Sequence, residues 1–372
     1  MPLASRRIGT SRRSLLRLAP AAVLTASAAP KPLHVAIVTE PGGTHLDLFA
    51  KGLAKSSGIA SVSLADPSGK SFAPVRASLG PLAATLRTFA SSGEMFKAVP
   101  PDLAIVTVEP RHNPALVEAA LRVNAHVLCE KPPCTKLADF ERVASLAHSR
   151  QRLLMMAMAT RANPAAREAK RLIDLGYFGK VYGVGMSWIG DQTRLTTRAW
   201  QEAWYSHKEK AGGGKLAFHG VHYIDLIHYL TGDRMVRVTG MCRNVGGQPI
   251  DVEDAAVVAL QFGRGAVGTL NTGYYLDKGF SNFVHLWGEK GWLRFDPLLP
   301  LRWYSTHPDA PQGEQSFSYQ GPDPSYDVMM ADIVQSLNGG APFMTTAETL
   351  HVTRVIFAGY RSAETGQAQT VA

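Results

Sequence analysis

Short, continuous apolar runs alternate with amphipathic stretches over the first 160 residues of the chain. Leu33-His34-Val35-Ala36-Ile37-Val38 has the form of a strand buried on both faces. The turn Thr39-Glu40-Pro41-Gly42-Gly43-Thr44 follows it. Residues 45–57 then carry Leu46, Phe49, Ala50 and Leu53 on one helical face. Residues 60–65 predict a second strand, ending at Asp66, and 103–108 a further one. A helix over 114–124, a strand over 126–129, a helix over 137–150 and a strand over 153–158 complete the series. Short strands alternating with helices predict βαβ units and a doubly wound parallel sheet.

The pattern changes near residue 160. Asn163-Pro164 is a helix-start signal, and the helix runs to 175. Residues 181–189 alternate like a strand with one face to cover, and 216–230 form an apolar helix after Gly212-Gly213-Gly214. Residues 236–243, 255–262, 266–275, 283–287 and 292–295 read as strands joined by Gly-rich turns. Residues 346–365 are helical again. The predicted fold is α/β: an N-terminal Rossmann doubly wound parallel sheet, then an α+β domain with a large open, mostly antiparallel sheet. The expected divisions are 1–28, 30–155 for dinucleotide binding, 156–344 for substrate and oligomerisation, and a tail, 345–372, packing back on the first domain.

Charge narrows the function class. The formal charge is +9, but five arginines and no acids lie in the first 28 residues. Without them, 34 basic residues face 30 acidic ones, or +4. That balance is too even for a nucleic-acid footprint. Arg12-Arg13, the apolar stretch 18–29 and Ala26-Ser27-Ala28 resemble a twin-arginine export signal cleaved after Ala28. The expected location is therefore periplasmic, or otherwise outside the cytoplasm. The apolar stretch is too short to span a bilayer, and no stable membrane insertion is expected. Cys129, Cys134 and Cys242 cannot build a disulfide framework and read as packed thiols. No Cys/His spacing matches a zinc site, and no metal is expected.

Cys129-Glu130-Lys131-Pro132-Pro133 closes the run Ala125-His126-Val127-Leu128. Carboxyl ends of strands in open α/β sheets face the ligand crevice. A lysine there, followed by two prolines of fixed φ, is a candidate proton donor or cofactor clamp. Read alone, the segment also describes a strand ending in a solvated salt pair. The first strand-turn-helix is where a dinucleotide pyrophosphate would sit, although its glycine motif is reduced to Gly42-Gly43. Asp66, 27 residues after Thr39, stands where an acid would bind ribose hydroxyls and favour NAD. Lys70 keeps NADP open, and an ordinary turn is the plainer reading of Asp66-Pro67-Ser68-Gly69. His219, His222 and Asp225 are three apart on the predicted helix 216–230, so Asp225 is expected to orient His222. An imidazole titrating near neutrality would then take a hydroxyl proton.

Together these motifs resemble the glucose–fructose oxidoreductase and inositol dehydrogenase family, Gfo/Idh/MocA, over residues 33–365. The resemblance rests on Ala125 to Pro132, on Gly212-Gly213-Gly214 with Gly220-Val221-His222-Tyr223-Ile224-Asp225, on Val252-Glu253-Asp254-Ala255, and on Ala358-Gly359-Tyr360-Arg361-Ser362. It implies NAD or NADP, Lys131 beside nicotinamide and reacting hydroxyl, and His222 as acid/base. It also implies a homodimer or homotetramer built through the C-terminal sheet. Three positions depart from the family's pattern: the depleted glycine turn, Phe218 where many members carry an Asp, and Pro114 where they often carry a His.

The candidate catalytic residues are Lys131 and His222. The candidate cofactor residues are Thr39, Gly42, Gly43, Thr44, His45, Asp66, Thr107, Glu130, Lys131 and Pro132. His219, Asp225 and Trp200 are the candidates for substrate. The expected activity is NAD(P)-linked hydride transfer to or from a hydroxyl of a sugar, polyol or sugar derivative. A cofactor-recycling lyase working by oxidation, elimination and re-reduction is the alternative reaction. A nucleotide- or sugar-binding protein with impaired catalysis is the non-enzymatic one.

Overall fold

The structure, a computed structural model, describes residues 31–41, 43–296 and 299–372. The paired arginines, the expected cleavage site and Gly42 lie outside the described residues. Lys31–Ala372 forms one compact unit.

Six parallel strands make the first sheet: β1 (Leu33–Thr39), β2 (Ile59–Ala65), β3 (Arg87–Phe89), β4 (Leu103–Thr107), β5 (His126–Cys129) and β6 (Leu154–Met156). Their spatial order is β3-β2-β1-β4-β5-β6. Val35, Ile37, Ala104, Ile105, Val127 and Leu128 are all fully buried, as strands covered on both faces require. The order reverses direction between β1 and β4. Their carboxyl ends, Thr39 and Thr107, are register partners, so the crevice opens there.

The second sheet has nine strands: β7 (Val181–Asp191), β8 (Met235–Arg243), β9 (Ala255–Phe262), β10 (Val267–Leu276), β11 (Ser281–Gly288), β12 (Gly291–Asp296), β13 (Leu299–Ser305), β14 (Gln315–Phe317) and β15 (Gln369–Thr370). They run in the order β14-β13-β12-β11-β7-β10-β9-β8-β15. Only β7 and β10 pair in parallel; the other pairs are antiparallel. Burial alternates along β9 from Ala256 to Phe262, so one face is packed and the other open. Gly220 meets Leu270 and Thr272 on the packed face, and Gly359 of the last helix lies against Val258.

That last helix, Thr346–Thr365, starts with a capping box between Thr345 and Glu348. It joins the two sheets. Thr346 Oγ1 accepts the β6 amide of Leu154, and Arg354 pairs with Glu141 beside the first sheet. Ser362 Oγ accepts the β8 amide of Gly240, and Tyr360 donates to Glu253.

The helix expected over 216–230 is interrupted. Leu216–Gly220 is a π turn, and the α-helix begins at Val221 and ends at Thr231. Gly220 permits this close passage over β10. The helix Ser325–Leu337 and the strands β3, β13 and β14 were not read from the sequence. Among the described residues, no helix is long and apolar enough to cross a membrane. Cys129, Cys134 and Cys242 are free thiols, the first two buried.

Candidate active site

A cavity of about 460 Å³ opens at the carboxyl end of the first sheet. Its wall includes Thr44, His45, Lys131, Phe218, His219 and His222. The structure thus brings together residues from the β1 turn, the end of β5 and the π turn of the second domain. Trp188 Nε1, His222 Nδ1, the Tyr223 hydroxyl and Asn282 Oδ1 belong to the same wall. All four are buried without a protein hydrogen-bond partner. Unpaired buried polar atoms are rare, and four lie on the residues that line this one cavity.

Lys131 is buried at the end of β5, before a cis peptide bond to Pro132. Its Nζ donates to the Phe218 carbonyl at 3.3 Å and stands 4.1 Å above the Phe218 ring. Burial pushes its pKa down, against the pull of Glu130. The position of the absent Asp is therefore a floor under the lysine, made by a ring and a carbonyl. An ammonium has three donors, so hydrogens remain for a ligand.

His222 is driven well below the ordinary imidazole pKa by burial first, then by Lys131 and His45. Its ring rests on Trp188, 5.2 Å between centroids. Because Nδ1 is buried, Nε2 is the nitrogen open to the cavity. Asp225 does not orient it, which corrects the expectation from spacing. Both residues lie within the α-helix Val221–Thr231, but Asp225 is fully buried in a bidentate pair with Arg161 at 2.8–3.1 Å, and His222 Nδ1 has no partner. Glu348 holds the same guanidinium at 2.9 Å. Asp225 is thus a domain-joining residue and not a substrate ligand. His219 does face the cavity, with its ring 5.1 Å from that of Trp188. Trp200 lies behind that wall, tilted against Tyr205 at 4.2 Å and edge-on to Tyr274 at 5.9 Å.

The cofactor candidates divide. Thr39 Oγ1 donates to the Thr107 carbonyl, and Thr107 Oγ1 to the Thr44 carbonyl, so both hydroxyls fold the turn. A Cβ on Gly43 would collide with Thr39 Oγ1 and the Thr107 carbonyl oxygen. Only glycine fits this close approach. His45, at φ 58°, precedes the helix Leu46–Lys55 and pairs with Glu130, which also accepts from Thr44 Oγ1 at 3.2 Å. Thr44, His45, Glu130 and Lys131 therefore form one linked edge, with Glu130 Oε2 unpartnered. These residues fit a dinucleotide bound across the switch point.

Asp66 follows β2, but its carboxylate is already occupied. One oxygen accepts from the Ser68 amide and hydroxyl, the other from those of Ser71, all at 2.7–2.9 Å. Burial raises its pKa, but the bonds from Ser71 and Ser68 more than reverse this. With roughly four lone-pair sites on a carboxylate, none is left for a ribose hydroxyl. The carboxylate thus holds its own turn. Outside the cavity, Glu40, Glu109 and His112 cluster beside the β1 turn, where Glu40 accepts from the Glu109 amide and His112.

Tyr326 was missed because the helix Ser325–Leu337 was not read, although Val328, Met329, Ile333 and Val334 follow a helical period. Its ring lies 5.7 Å from His45. Trp188 sat within a strand that was read, but the apolar pattern alone did not mark it.

Residues 50–158 match the model for the oxidoreductase family with an NAD-binding Rossmann fold, and 166–294 match that for the GFO/IDH/MocA C-terminal domain. The chain belongs to the Gfo/Idh/MocA oxidoreductase family. It is 26% identical over 193 residues to levoglucosan dehydrogenase of Pseudarthrobacter phenanthrenivorans, covering 46% of this chain and 49% of that one. It is 22% identical to myo-inositol 2-dehydrogenase of Thermotoga maritima, covering 66% and 72%. The chain spans about half the length of several curated relatives it matches. The fold aligns with the crystal structure of an oxidoreductase domain protein from Kribbella flavida at TM-score 0.80 and 23% identity, covering 92% of this chain and all of that one.

Proposed function

We propose that this protein is an NAD-linked oxidoreductase that moves hydride between the cofactor and a carbon-bound hydroxyl of a sugar or polyol. The carrying observation is that Lys131 and His222 share one cavity at the switch point of an NAD-binding family fold. The nicotinamide, when bound, supplies the hydride acceptor. His222, neutral at physiological pH, offers Nε2 to the hydroxyl proton. Lys131 places a cation beside the oxygen as its charge develops. Oxidation of CH–OH then delivers one hydride to the cofactor and one proton to His222.

Relatives named for an anhydrosugar and for a polyol support this substrate class. Assembly through the second sheet belongs to the same proposal. On its open face Met241 is the register partner of Val257, and Val267 and Trp287 both pair with Gly183. These four side chains are exposed, two apolar pairs on one open sheet face that a copy of this chain would cover. Export by the twin-arginine route rests on Arg12-Arg13 and Ala26-Ser27-Ala28 alone. Native mass spectrometry of the purified full chain tests cofactor and assembly together. Bound NAD mass on a dimer or tetramer is expected; a nucleotide-free monomer that takes up no added NAD would overturn both.

A further inference from the structure

Lys215 opens the π turn, and its side chain is essentially unexposed. Its Nζ has no hydrogen-bond partner. It stands 3.9 Å above the Tyr274 ring. Gly190 makes room for it: a Cβ there would lie 3.2 Å from Nζ and 3.6 Å from the Phe280 ring. Phe280 is half exposed on the cavity wall, so Nζ lies about one side chain behind that wall.

A second cation shares this aromatic nest. The Arg194 guanidinium lies 5.8 Å from Tyr274 and 5.6 Å from Phe280. Lys131 and His219 are the neighbouring basic groups, and after burial Lys215 is the strongest influence holding His219 neutral. Asp323 is the one carboxylate on the cavity wall among the described residues, and it already accepts from the Ser325 amide and hydroxyl. A cation–π contact offsets only part of the cost of burying an ammonium. Lys215 and Arg194 are thus two cations on one ring; the carboxylate of Asp191 acts on Arg194, whereas Lys215 Nζ has no hydrogen-bond partner. Such a pair is retained where a ligand brings the counter-charge.

We infer that the substrate is an acidic sugar, a hexuronate or aldonate, whose carboxylate moves Phe280 aside to reach Lys215 and Arg194. This rests on the reading of the cavity as the sugar site. It adds the charge of the substrate, which the family assignment leaves open.

The test is calorimetry on the full chain with NAD present. The probes are D-glucuronate, D-galacturonate and D-gluconate, each against its neutral counterpart, with glucose 6-phosphate as a second anion. At least one carboxylate sugar should bind roughly tenfold or more tighter than its neutral partner. Lys215→Met should erase that preference, a loss of roughly 10- to 100-fold, the scale of a hydrogen bond to a charged group. Its affinity for the neutral sugar should stay within about threefold. A melting curve establishes that the variant is folded, as expected when a buried charge becomes an isosteric apolar group. Equal binding of acid and neutral sugars, preference for the phosphate alone, or an unaltered preference in Lys215→Met overturns the inference. Turnover of neutral sugars alone would sink it while leaving hydride transfer standing. Lys215-dependent uronate binding without reduced cofactor would uphold the anion site and sink the oxidoreductase reading.

Discussion

The Lys131 ammonium sits 4.1 Å above the Phe218 ring and donates to that residue's own carbonyl at 3.3 Å. One aromatic residue thus supports the cation from below and spends one of its three hydrogens. The remaining donors point the lysine's chemistry at the cavity. Lys131→Met should lower kcat by roughly 10²-fold or more, the scale of acid-base assistance. Steady-state kinetics with NAD titration checks this. Near-normal kcat would reduce Lys131 to a packed salt-pair residue.

The pH profile follows from the buried imidazole. Burial, Lys131 and His45 all favour neutral His222, so its base form is present through neutrality. The acid limb of kcat/KM should lie below the ordinary imidazole value of about 6.5. Burial also lowers Lys131, so the alkaline limb should fall below the ordinary lysine value of about 10.4. His222→Ala should remove the acid limb. An inflection at pH 7 in the unaltered protein would show that His222 is not the titrating base.

Most of the fold was legible because it rests on local patterns. Buried β1, β4 and β5 carry unbroken apolar runs, and Asn163-Pro164 starts a helix whose Asn163 side chain accepts from the Ala165 and Ala166 amides. Lys131 was legible because a charge at the end of such a run is conspicuous. Asp225 was misread because spacing along the helix Val221–Thr231 cannot reveal Arg161, which arrives from a distant segment and takes the carboxylate. The turn at Asp66 was not legible: serines two and five residues on compete for its carboxylate, a local option that strand-end logic ignores. Lys215 was invisible, since its isolation comes from side chains on β10 and around Gly190.

Asp66 yields a stability prediction in place of a specificity one. Asp66→Ala should cost roughly 2 kcal/mol, because four donors in the turn lose their acceptor. Its folded pKa is depressed, so the stabilisation is present above about pH 3.9 and is lost as pH falls through the folded value. Denaturant titrations at neutral and acidic pH measure this. The ratio of NAD to NADP affinity should barely move. A large swing toward NADP would restore the ribose role.

Lys215 should leave a signature without any ligand. Burial, then Arg194 and Lys131, bring its pKa down to about 7. Tyr274 and His219 are the other titratable groups beside it. The unfolded chain therefore holds more protons than the folded one between pH 7 and about 10.4, and stability from this group rises across that window. Lys215→Met removes the charge penalty, so the variant should gain up to about 4 kcal/mol near pH 6, and the gain should shrink toward pH 10. Chemical denaturation at several pH values reads it. A pH-independent difference would mean Lys215 keeps its ordinary pKa.

The central claim is hydride transfer to NAD by Lys131 and His222. Its most direct measurement combines nicotinamide absorbance with product mass, in full chain given NAD and a panel of acidic and neutral sugars. The account predicts that reduced cofactor accumulates in step with a sugar two hydrogens lighter, and that Lys131→Met and His222→Ala each slow both by roughly 10²-fold or more. A sugar cleaved without net reduced cofactor, or equal rates in Lys131→Met, would contradict it.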